Sequence, residues 1–130
     1  MSSEPSYRTL ADRDYEFAMK TKYLGSNSHY VRLIEQYVEK ILKHLIDQSG
    51  HPEDKQLLNS HNVPMLAKRA DQLYDLQFTT EDKQYFRSLK SYYYDTNYPG
   101  EQYTEIDDDE TEALHSWVQQ FREKLRSRVH

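Results

Sequence analysis

The sequence predicts an all-α protein, an up-and-down bundle of four to five antiparallel helices, and three observations predict it. Apolar residues recur at three- and four-residue steps along several segments. With 3 Gly and 4 Pro in 130 residues, the chain carries few helix breakers. No segment shows the period-two alternation that a half-buried strand requires. The hydrophobic share of 36% is low beside a charged share of 30%, but twelve tyrosines and four phenylalanines add buried area that an aliphatic count misses.

Five helical segments follow in order. The first runs from about Ser6 to Leu24, with Leu10, Phe17 and Leu24 seven apart and Tyr7, Ala11 and Ala18 beside them, and Gly25-Ser26-Asn27-Ser28 breaks it. The second carries the strongest pattern: Tyr30, Leu33, Ile34, Tyr37, Val38, Ile41, Leu42, Leu45 and Ile46 make one apolar face over four turns. Ser49-Gly50-His51-Pro52 ends it, with Gly suited to the left-handed cap. After a polar link, Asn62 caps a third helix that tolerates Pro64 in its first turn and faces inward with Val63, Leu66, Ala70 and Leu73. The fourth begins at Thr80, where Glu81 and Asp82 meet the positive end of the helix dipole. Tyr85, Phe86, Leu89, Tyr92 and Tyr93 form its inner face, and Asn97-Tyr98-Pro99-Gly100 stops it. The fifth starts near Asp107, with Glu110 three residues on as a capping-box-like pair, and buries Leu114, Trp117, Val118, Phe121 and Leu125.

The length fits one domain, 1–130 with a core of about 6–127, without an internal repeat. No run approaches the roughly 18 apolar residues of a membrane span, and Met1-Ser2-Ser3-Glu4 does not read as a signal peptide. Zero cysteines leave no disulfide or thiolate metal site, so the expectation is a cytoplasmic protein. The net charge of -5 argues against general DNA binding, which is largely a Lys/Arg effect. The acidic run Asp107-Asp108-Asp109-Glu110 fails as a calcium loop, because Glu112 and Val118 stand where Gly and Glu are needed, and a helix start explains it better. No His-Glu-x-x-His, phosphate-cradling glycine loop or Gly-x-Ser-x-Gly elbow occurs, so no metal ligand, cofactor or catalytic residue is assigned. His61 precedes a helix whose amides can hold an anion, although a solvated loop histidine is the simpler account. Gln36, Glu39, Lys40, Lys43 and His44 form a polar strip on the second helix, which by pattern alone is an ordinary wet surface. Tyr92, Tyr93 and Tyr94 point about 100° apart, so at least one belongs at a surface or contact.

Three stretches carry a family resemblance: Gln36-Tyr37-Val38-Glu39-Lys40-Ile41-Leu42-Lys43, Ser60-His61-Asn62-Val63-Pro64-Met65-Leu66 and Tyr93-Tyr94-Asp95-Thr96-Asn97-Tyr98-Pro99. Their order and spacing resemble the HEPN domain family, a nucleotide-binding domain of higher eukaryotes and prokaryotes. The family pattern places Gln-x-x-Glu-x-x-x-Lys on the second helix, Thr-His-Asp-Leu before the third and Tyr-x-x-x-Arg-Tyr-Pro after the fourth. The resemblance implies a bundle that pairs into a homodimer and associates with a nucleotide, an RNA or a nucleotidyltransferase partner, often as a toxin-antitoxin or stress module. On that basis Lys40, Lys43, His61, Asn62, Tyr94, Asn97 and Tyr98 are the expected ligand contacts, with Gln36, Glu39 and Pro99 as motif positions.

Some HEPN proteins are metal-independent ribonucleases that use Arg followed by His with four to six residues between them. No arginine here is followed by a histidine at that distance; Arg126 and His130 come closest, with three between. Asn97 also stands where the corner arginine belongs, Asn62 replaces Asp and Ser60 replaces Thr. The resulting expectation is a non-catalytic HEPN-like domain. The alternatives are a ribonuclease toxin with an atypical His61–Lys43 site and a pure dimeric interaction module.

Overall fold

The computed structural model describes residues 6–22, 24–97 and 106–130, the side chains of 92–97 excepted. These residues are all-α: helices α1 (Tyr7–Thr21), α2 (Asn27–Ser49), α3 (Val63–Tyr74), α4 (Thr80–Asn97) and α5 (Asp108–Leu125), with two short 3-10 turns at Pro52–Asp54 and Leu57–Asn59. The long helix α2 packs against each of the other four and is the axis of the core. None of the described helices is long and apolar enough to cross a membrane.

Local chemistry sets the helix ends. The Ser6, Ser26, Asn62 and Asp107 side chains accept the amides of Thr9, His29, Met65 and Glu110, so four helices begin on a side-chain cap. Ser26, a breaker residue by pattern, is thus the cap of α2, and the helix starts at Asn27, ahead of the first apolar position at Tyr30. A serine hydroxyl suits a first helical turn as well as a loop. α4 begins on a reciprocal pair, the Thr79 amide donating to Asp82 Oδ2 at 2.9 Å and the Asp82 amide to Thr79 Oγ1 at 3.1 Å. Gly50 closes α2 at φ 75°, as the sequence suggests. α3 ends on Asp75 at φ 51°, a left-handed residue with a side chain, followed by Gln77 at φ 56°. The Asp71 carboxylate accepts the Gln77 amide at 2.9 Å and ties that turn to the helix before it.

The inner faces of α3 and α5 fall largely where the periodicity puts them: Val63, Leu66 and Ala70, then Leu114, Trp117, Val118, Phe121 and Leu125, are buried, and Leu73 is partly buried. The aromatic centre joins Phe78, Phe86, Trp117 and Phe121, with Phe78 and Phe86 edge to face at 4.9 Å and Trp117 stacked on Phe121 at 5.0 Å. On α1 the expected stripe is corrected. Phe17 is 50% and Leu24 82% exposed, while Ala11 and Ala18 are fully buried. Two small residues on one face let α1 lie close against α2, and a bulky Phe on that line would hold the helices apart. The link after α2 is not simply polar either: Asp54 is buried and accepts Arg69 Nε at 2.9 and 3.1 Å, tying the 3-10 turn to α3.

Candidate functional site

On α2 the expected wet strip is corrected as well. Glu35, Glu39 and Lys43 are buried, and only part of Gln36, Lys40 and His44 reaches solvent. α2 is covered on most of its circumference by the other helices, so its polar side chains face protein and must find partners there. A short network supplies them. Lys43 Nζ lies 3.4 Å from Glu39 Oε2 one turn away, and His61 Nδ1 lies 2.9 Å from Glu39 Oε1. A carboxylate only accepts, so Nδ1 of His61 carries the proton. Lys40 turns the other way and meets Asp14 of α1 at 2.5 Å.

Glu35 completes the cluster, although the polar pattern of α2 does not single it out. Burial first, then the neighbouring negative charge of Glu39 and a hydrogen bond with it, push the Glu35 carboxyl up to about 8. At neutral pH it therefore holds its proton, beside a carboxylate that Lys43 and His61 already meet. Its Oε1 is buried without a hydrogen-bond partner. A signal for this residue existed. On a wheel of about 100° per residue, Glu35 falls between Leu42 and Ile46, about 20° from each and inside the apolar arc.

The turn that brings His61 to α2 is built locally. Ser60 Oγ accepts the Asn62 amide at 3.0 Å, and Asn62 Oδ1 accepts the Met65 amide at 3.3 Å. Asn62 thus spends its side-chain oxygen on the start of α3. His61 stays half exposed, at 49% of its side chain, above the buried Glu39. The structure accordingly brings together Glu39, Lys43 and His61, whereas Lys40 turns to α1 and Asn62 caps α3. The side chains of Tyr92, Tyr93, Tyr94 and Asn97, and the whole of Tyr98 and Pro99, lie outside the described residues.

Chemically, the cluster offers an imidazole oriented by a carboxylate at its outer end and a closed set of paired charges within. The described residues contain no group of three or more His, Asp or Glu arranged to hold a metal ion. Comparisons with family models, with characterised proteins and with solved structures find no match.

Proposed function

We propose that this chain is a non-catalytic helical domain of the HEPN type, an up-and-down bundle that pairs into a homodimer and serves a nucleotide or a nucleotidyltransferase partner. One observation carries the reading: His61 meets Glu39 at 2.9 Å across 22 positions of sequence, joining two of the three motif stretches in space. The ligand meets the outer end of the cluster, where half-exposed His61 stands above the buried Glu39. Lys43 supports Glu39 from within and sets the position of the imidazole.

Thermal unfolding with ATP, GTP and cyclic dinucleotides tests this. A ligand at 100 times its Kd adds about 2.7 kcal/mol of stability, which raises the melting temperature by several degrees. His61→Ala should remove the shift and leave the unliganded melt nearly unchanged, since the side chain is half exposed. No shift with any nucleotide at millimolar concentration removes the binding claim.

A second reading rests on the same pair. An imidazole held by a carboxylate is the arrangement of a general base, so a ribonuclease with an atypical site is its catalytic counterpart. Incubation with RNA in EDTA decides it: cleavage that vanishes in His61→Ala supports an enzyme, and equal cleavage by both proteins excludes His61.

A further inference from the structure

Between α1, α2 and α5 lies an open groove of about 440 Å³, within the range of roughly 300–1,000 Å³ that small-molecule sites occupy. Buried Tyr37, Ile41 and Leu125 form its floor, and Arg8, Arg122 and Arg126 line it. Three guanidiniums against two carboxylates, Asp12 and Glu123, leave the groove with a small net positive charge in a chain of net charge -5. Arg122 is held in place, its guanidinium carbon 4.1 Å from the Tyr15 ring centre and 5.5 Å from that of Tyr37. Asp12 lies 3.2 Å from Arg122 and 3.9 Å from Arg8. One carboxylate thus stands between two guanidiniums, each with five N–H donors in a planar fork, and leaves much of that donor capacity unused. Arg126 pairs with Glu123 of its own helix at 3.6 Å, an exposed contact of little strength.

We propose that this groove binds a phosphomonoester on a compact organic body, the phosphate clamped by Arg8, Arg122 and Arg126. A phosphate monoester presents three terminal oxygens where Asp12 presents two, and guanidinium forks match it in pairs. Asp12 positions the guanidiniums and yields to the stronger acceptor, and the organic body rests on Ile41, Leu125 and Val129. Tyr37 and Ile41 stand about 120–160° round α2 from Glu39 and Lys43. The groove and the His61 cluster are therefore separate surfaces, and the two readings can fail independently.

Calorimetry on the full chain with AMP, adenosine and inorganic phosphate tests the proposal. AMP should bind, inorganic phosphate more weakly, and adenosine not at the same concentrations. Arg122→Lys, which keeps the charge but loses the fork, and Arg126→Gln, at an exposed position, should each weaken AMP by about tenfold or more. Their unliganded melting curves report whether the fold is intact, and Arg126→Gln decides if Arg122→Lys fails to fold. His61→Ala should leave the affinity unchanged. Equal affinity for AMP and adenosine, no AMP binding at millimolar concentration, or wild-type affinity in the arginine variants overturns it. AMP binding lost in His61→Ala but kept in Arg126→Gln also overturns it and places the ligand at the α2–α3 cluster.

Discussion

Glu35 lies on α2 at 3% exposure, with Oε1 unpartnered and its neighbour Glu39 one turn on. Its carboxyl is raised to about 8 in the folded chain against an ordinary value of 4.5. The folded state holds the proton more tightly, so this group's contribution to stability is complete below about 4.5 and is lost as pH rises through about 8. Glu35→Gln keeps a donor toward Glu39 without needing a proton. Urea midpoints at pH 6 and pH 9 should therefore differ less in the variant than in the wild type, and the variant should be the more stable protein at pH 9. Asp82 makes the opposite case. Burial alone would raise its carboxyl, but hydrogen bonds from Lys124, the Thr79 amide and Trp117 outweigh it and hold it below the usual range. Asp82→Ala leaves the buried Trp117 Nε1, 2.9 Å from Asp82 Oδ1 in the native chain, without its acceptor. The expected loss in chemical denaturation is about 2–4 kcal/mol.

At the scale of elements, the caps decide where helices begin and end. Gly50 at φ 75° closes α2, and a Cβ there meets nothing within 4 Å. Gly50→Ala therefore destabilises through backbone strain alone, by about 1 kcal/mol in a urea titration. A loss several times larger would mean that the turn to Pro52 carries packing that the geometry does not show. α1 is held to the rest by more than its alanine face: Lys22 bonds to Glu112, and Lys40 to Asp14. The groove beside it is bounded by the Arg122–Asp12 pair, so α1 and α5 share charge contacts where they share little backbone contact.

For the whole molecule, the aromatic centre is where elements distant in sequence meet. Phe121 of α5 touches Tyr37 of α2, Phe86 of α4 and Phe78 of the preceding loop, with ring centres 5.8–6.3 Å apart. Phe121→Ala opens a cavity common to three helices, and the expected destabilisation is about 3–5 kcal/mol. Light scattering on a sizing column addresses the proposed pairing. A homodimer has twice the 15.7 kDa chain mass, and a concentration-independent monomer removes that part of the proposal.

Periodicity in the sequence determined that the chain is helical, and also determined the inner faces of α3 and α5 and the ends set by Gly50, Asn62 and Asp107. Those features depend on residues within a turn or two of each other, where the physics is local. The tertiary structure decided which face of α1 is inner, because small residues at Ala11 and Ala18 matter only when another helix approaches. It decided as well that Glu39 and Lys43 are interior: a polar strip on one helix becomes a buried network only when neighbours cover it. The meeting of His61 with Glu39, and the gathering of three arginines beside Tyr15 and Tyr37, likewise depend on chain segments brought together from far apart, which no local pattern encodes.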